Sequence, residues 1–241
     1  RNPPEELTTT TNAMSDQSQH FSDRREFEHS TLDESSLQAV ENDPWAFFAQ
    51  WLSAAKNAGL EDYNAMVLSS LTFDGAPDAR VVLIRSIDDK ASTGGKPIKS
   101  LSFFTNFNSE KGRQLAADPR CSVTFYWKEL ERQVRMMGRA VPLSEAACDA
   151  YFSSRPRGSQ LGAWASLQSE VIDARSQLEE QLVEAAARFE GRNVARPSHW
   201  GGYAFVPHNF EFWQGRPSRL HDRIRCTQAS SGTWIPERLS P

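Results

Sequence analysis

The chain has 241 residues, a formal net charge of −4 and 39% hydrophobic side chains, which suits one globular domain with a tail. A net acidic chain lacks the basic surface that broad nucleic-acid binding needs. Its apolar runs are too short for a membrane-spanning helix or a secretory signal, so neither nucleic acid nor membrane is an expected partner.

In chain order, residues 1–35 are polar and read as a flexible tail, because they bury too little surface to offset ordering entropy. Trp45, Phe48, Trp51, Leu52 and Ala55 recur at helical spacing behind Asp43-Pro44, which predicts an amphipathic helix over 44–58. Runs 65–72 and 79–84 flank Asp74-Gly75 and read as a hairpin. Residues 88–99 read as a polar loop and 100–105 as a strand. Ser109 is placed to cap a short helix through Ala117, and 121–127 and 133–140 are further strands. Ser144 caps a helix through Ser154, Ser159 falls in a turn, and Asp173 starts a helix through Phe189. Strand-like pieces at 202–206, 210–214, 221–226 and 233–238 finish the chain. So many short strands with few helices predict a mainly β fold, a closed antiparallel barrel with α decoration.

Of 27 basic side chains, 21 are Arg and 6 are Lys. Planar guanidiniums suit phosphate and carboxylate, although biased base composition enriches Arg equally. In a strand, Arg219, His221, Arg223 and Arg225 would share one face. That row is either solvated or an anion site, and adjacent Trp213 shifts the balance towards a cleft. Tyr151 and Arg155 share a helical face, and with Ser159 they either converge on a phosphate or merely satisfy helix-end carbonyls. Arg80 and Arg85 bracket an apolar strand and point to opposite faces. Thr105, Ser109 and Lys111 lie near a helix N-terminus, which favours anions. Gln133 and Arg135 share a strand face, and Gln168-Ser169 is an amide–hydroxyl pair without intrinsic specificity. The five histidines show no zinc spacing, and no Walker A, G-x-G-x-x-G or G-x-S-x-G motif occurs. His199 and His208 read as structural or surface residues and Cys121 as core. Cys121, Cys148 and Cys226 share no C-x-x-C spacing, which points to free thiols in a reducing compartment, the cytoplasm.

These segments, in this order from about Phe27 to Pro241, resemble the pyridoxine 5′-phosphate oxidase family. Trp213–Arg223 (WQGRPSRLHDR) and the terminal WIPERLSP carry the most specific likeness. The resemblance implies an FMN-binding split β-barrel over 36–241, with a C-terminal dimerisation and substrate segment, assembled as a homodimer with shared active sites. It implies FMN contacts from Arg80, Val81, Val82, Leu83, Phe104, Thr105, Lys111, Gln168, Ser169, Trp213 and Arg223, and from Gln133 of the other subunit. Substrate phosphate would meet Tyr151, Arg155 and Ser159, with Arg85 at the family's strand-end Lys position. Arg219, Leu220 and His221 would enclose the substrate ring, with Arg219 and His221 at the reacting carbon. The implied reaction oxidises pyridoxamine or pyridoxine 5′-phosphate to pyridoxal 5′-phosphate with O2, releasing hydrogen peroxide. Rival readings are a split-barrel FMN reductase on another substrate, a non-catalytic FMN or B6-phosphate binder, and a barrel with neither ligand. Departures from the family pattern are Arg85 for Lys, Glu110 for a basic residue, Gln17–His20 at the lid motif, and the 88–99 insertion.

Overall fold

The computed structural model describes residues 27, 30–93 and 96–241, leaving aside the side chains of 90–96. The 1–35 tail and the lid motif at 17–20 therefore lie largely or wholly outside the described residues. Two capped helices open the fold. Asp33 accepts the Ser36 N–H to start α1 (Glu34–Asn42), and Asp43 accepts the Trp45 and Ala46 N–H groups to start α2 (Pro44–Asn57). Asp43 ends one helix and begins the next, and Pro44 occupies a first-turn position where its missing N–H costs nothing. The sequence reading found α2 and missed α1, whose apolar stripe is only Leu37 and Val40. The packed chain thus begins before residue 36: Leu32 is buried and its N–H donates to the Asp222 carboxylate at 3.0 Å.

Among the described residues nine strands form one antiparallel sheet. They are β1 (Ala65–Leu71), β2 (Pro77–Leu83), β3 (Ser86–Thr93), β4 (Lys96–Asn106), β5 (Arg120–Trp127), β6 (Arg132–Pro142), β7 (Trp200–Gln214), β8 (Asp222–Gln228) and β9 (Trp234–Leu239). The path runs β2-β1-β5-β6-β7-β4-β3, with β8 and β9 branching from β7. Long β7 makes the branch possible: its first half pairs with β4, its second half with β8, and β6 spans both. Among the described residues no ladder joins β2 to β3, so the barrel is split rather than closed. The link between them crosses at Ile84-Arg85, where the Arg85 N–H donates to the Ser102 carbonyl.

The core face of the sheet carries two fully buried rows, Val123, Met136, Phe210 and Cys226, and Phe125, Val134, Phe212 and Ile224, each residue opposite the next. Helix α2 lays Phe47, Phe48 and Trp51 onto it through edge and tilted ring contacts with Phe125 and Phe212. Each such side chain contributes roughly 1.5–3 kcal/mol of burial. Cys121, Cys148 and Cys226 are all buried free thiols, and burial pushes the Cys121 and Cys226 thiols up to about 12.

Five local expectations change. Residues 88–99 are mostly strand, an extended β3–β4 hairpin with a register shift between Asp88 and Ala91. The pieces at 202–206 and 210–214 are one strand, continuous through a bulge at His208; Gly138 opposite it is tight enough that a Cβ would fall 2.2 Å from the Val206 carbonyl. Ser159 sits in helix α5 (Arg157–Ala165), between α4 (Glu145–Ser154) and α6 (Arg175–Arg188), not in a turn. Strand β8 starts at Asp222, so His221 and Arg219 precede it and do not share its face. Helix α6 takes Ala174, not Asp173, as its N-cap. The expected short helix is α3 (Glu110–Ala117), capped by Ser109 as anticipated. Among the described residues no helix is long and apolar enough to cross a membrane.

Candidate active site

A cavity of about 460 Å³ opens where β2, β4, α4, α5 and the start of β7 meet. It gathers Val81, Val82, Leu83, Arg85, Phe104, Thr105, Lys111, Tyr151, Arg155, Ser159 and Gln168 from five separate stretches of sequence. One wall is aromatic: Phe104 stacks on Tyr151 at 3.8 Å between centroids, and Trp200 lies parallel to Phe104 at 5.5 Å. The Arg155 guanidinium rests over the Trp200 ring at 4.5 Å. Its Nη1 is buried and meets no hydrogen-bond partner. Burial lowers the Arg155 pKa from its usual value, opposed by Tyr151 and assisted by the Arg85 charge. A buried guanidinium nitrogen without an acceptor is costly, and a bound oxyanion would supply the acceptor.

A second cationic corner of the same cavity lies at Lys111. Lys111 Nζ lies 3.5 Å from both Ser109 Oγ and Gln168 Oε1. Burial chiefly, then the Arg80 charge, lowers its pKa, the signature of a cation placed where an anion would relieve it. Gln168-Ser169 acquires a role from tertiary placement: Ser169 Oγ accepts the Glu110 N–H at 3.1 Å at the start of α3. Ser169 holds a left-handed backbone, φ 73°. Arg80 stands behind this corner. Its guanidinium donates to Ser70 Oγ at 2.5 Å and to Gln114 Oε1 at 2.9 Å, and pairs with Asp78.

The remaining candidates form a second group. Trp213 packs against His221 at 4.6 Å, and Phe27 caps both rings edge-on. His221 Nδ1 accepts the Arg216 N–H at 3.1 Å, which fixes a neutral ring, and burial followed by the Arg219 charge lowers its pKa. Leu220, His221 and Arg223 line a cavity of about 410 Å³ beside the C-terminus. Arg219 is exposed in a short 3-10 turn, with φ 62°. The expected single face of Arg219, His221, Arg223 and Arg225 is therefore not formed: only Arg223 and Arg225 lie in the strand. Arg223 instead gives Nε and Nη2 to Glu211 at 3.1 and 2.9 Å, and Nη1 to the Ser240 carbonyl.

Register connects the two groups. Tyr126, Gln133, Trp213, Arg223 and Leu239 form one cross-strand row on the outer face of the sheet. The neighbouring row on that face runs Val81, Val67, Thr124, Arg135, Glu211, Arg225 and Glu237. Val81 is 65% exposed, Tyr126 56% and Met137 47%, an apolar surface of the kind that a partner covers. Trp200, Asn106, Gly162, Ala163 and Ser166 also line the main cavity and were not singled out from sequence. Trp200 begins β7 opposite Asn106, a pairing that no local pattern announces.

Fold and site define a split-barrel protein with a cationic, aromatic-walled cavity suited to an aromatic anion. Residues 52–188 match the family model described as pyridoxamine 5′-phosphate oxidase, and 200–241 match the pyridoxine 5′-phosphate oxidase C-terminal dimerisation region. A pyridoxine/pyridoxamine 5′-phosphate oxidase of Cupriavidus pinatubonensis is 47% identical over 218 residues, 90% of this chain and 97% of the relative. One of Rubrobacter xylanophilus is also 47% identical over 218 residues, covering 90% and 94%. Among solved structures, PhzG from Burkholderia lata, in complex with tetrahydrophenazine-1-carboxylic acid, superposes with TM-score 0.74 at 30% identity, covering 84% of this chain and 96% of that one. A pyridoxamine 5′-phosphate oxidase-related, FMN-binding protein from Nostoc punctiforme shares the fold, with TM-score 0.62 at 16% identity over 82% and 97%. The chain belongs to the pyridoxamine 5′-phosphate oxidase family.

Proposed function

We propose that this protein is an FMN-dependent oxidase that converts pyridoxamine and pyridoxine 5′-phosphates to pyridoxal 5′-phosphate, working as a homodimer with shared active sites. The observation that carries it is the partnerless Arg155 Nη1, buried in a cavity that also holds Arg85 and Lys111. Two phosphorylated aromatic molecules need two cationic corners and a flat wall between them, and this cavity has both. Lys111, Thr105 and the Gln168-Ser169 pair would hold FMN at one corner, with Val81, Val82 and Leu83 along it. Tyr151, Arg155 and Ser159 would hold the substrate phosphate at the other. When bound, FMN would supply the redox chemistry, a two-electron oxidation at the substrate C4′ carbon with O2 as final acceptor and hydrogen peroxide as product; for the amine substrate, water would then release ammonia.

The chain's own residues bind, orient and screen. Arg155 and Arg85 fix the phosphate and thereby the ring above the cofactor site. Gln133, from the partner, would complete the shared site together with Trp213 and Arg223, which lie in its row on the outer face, and with Arg219 and His221, which precede β8. Neutral His221 and exposed Arg219 orient the substrate ring there. The family match, the 47% identity to named oxidases and the dimerisation-region match support this reading. A second reading, a flavin enzyme acting on an aromatic carboxylate, draws on the likeness to PhzG, because guanidiniums accept either anion. The deciding experiment is peroxide release by the FMN-reconstituted protein given each phosphorylated vitamer. Absence of turnover with both would end the oxidase reading.

A further inference from the structure

We propose that Arg196 is a positioning residue for the phosphate site, clamping α4 to the first residue of β7 and so setting where Arg155 stands over Trp200. The inference rests on the reading of Arg155 given above. Arg196 lies outside the cavity and in none of the sequence constellations, yet its side chain is only 8% exposed. All three of its guanidinium nitrogens are used. Nε donates to Asp149 at 2.6 Å, Nη2 pairs with Glu145, and Nη1 donates to the Trp200 carbonyl at 2.6 Å. Burial opposes its charge, and the hydrogen bonds it donates to the Asp149 and Glu145 carboxylates, with their charges, overcome that opposition, so its pKa lies above the ordinary value.

Both ends of the clamp carry phosphate-site machinery. Glu145 and Asp149 are four apart on one face of α4, and Tyr151 and Arg155 are four apart on another, about 200° round from Asp149 at 100° per residue. The grip is thus on the back of the helix whose front, with the residue that ends it, faces the cavity. At the other end, the residue whose carbonyl is held contributes the ring beneath Arg155. Guanidinium geometry matters here, because a lysine ammonium offers no planar fork spanning three acceptors.

The test uses the FMN-loaded protein. Inorganic phosphate binding is followed by tryptophan fluorescence, and pyridoxamine 5′-phosphate kinetics are measured alongside, for wild type, Arg196→Met, Arg196→Lys and Arg155→Ala. Arg196→Met should weaken phosphate binding and raise KM about tenfold, change kcat far less, and leave FMN affinity within about twofold. Arg196→Lys should recover part of the loss. In an Arg155→Ala background the further effect of Arg196→Met should vanish, since Arg196 acts through Arg155. Unchanged phosphate affinity, or a full additional loss without Arg155, overturns the clamp. If Arg196→Met fails to fold, Glu145→Gln with Asp149→Asn loosens the grip from the exposed side, and undiminished phosphate binding there overturns it equally. If wild type oxidises neither vitamer while phosphate binding follows this pattern, the oxidase reading falls and the clamp stands.

Discussion

At the scale of single residues, three guanidiniums divide the work. Arg155→Ala removes a charged donor set, worth about 1.5–3 kcal/mol, and should raise the substrate KM roughly 10- to 100-fold while FMN stays bound. Steady-state kinetics with a flavin spectrum measures both, and an unchanged KM would remove Arg155 from the phosphate site. Arg223→Ala should mainly weaken FMN and Arg219→Ala mainly turnover; equal losses in the two variants contradict that division. His221 makes a pH prediction. Its neutral ring accepts the Arg216 N–H, and its pKa is held below the ordinary 6.5. That contact contributes fully above pH 6.5 and is lost as pH falls below it through the lowered folded value. Wild type should therefore lose unfolding free energy relative to His221→Phe on acidification beneath 6.5, and parallel curves would refute the contact. Residue identity was largely legible in the sequence, because hydroxyls and guanidiniums in fixed local spacing survive as text. Trp200 and Arg196 were not, because their partners lie in other elements and the spacing that matters is spatial.

At the scale of elements, α3 is the piece that places Lys111. It packs so close to the end of β4 that a Cβ on Gly112 would lie 2.4 Å from the Phe107 carbonyl and 2.6 Å from that of Asn106. Gly112→Ala should cost about 1–3 kcal/mol by overpacking and reduce FMN retention with it; calorimetry and flavin content report the two losses. Caps made α2, α3 and α4 readable, since Asp43, Ser109 and Ser144 each sit before an apolar periodicity. Helix α5 was hidden by Gly158 and Gly162 and by a missing side-chain cap. It is stabilised tertiarily, with Gln160 donating to the Phe152 carbonyl and Arg157 to the Phe189 carbonyl. The 88–99 stretch shows the converse error: its polar, Gly-Gly-Lys-Pro composition reads as loop, while backbone pairing extends the hairpin regardless.

At the scale of the whole molecule, the proposed dimer would use the outer sheet face. Tyr126→Asp or Met137→Asp would replace an exposed apolar side chain of that face with a charge and should shift the protein towards monomer with parallel loss of peroxide release. Light scattering with an activity assay across concentration checks this, and a fully active monomer would refute the shared site. Alternation in each strand told which side chains share a face; only the register of β6, β7 and β8 revealed that Gln133, Trp213 and Arg223 form one row. The buried thiols bear on chemistry of another kind. The reaction proposed above would bring peroxide close to the fold with every cycle, and the species that peroxide attacks is thiolate, not thiol. Burial pushes the Cys121 and Cys226 thiols up to about 12, so neither would offer that oxidant a thiolate at neutral pH.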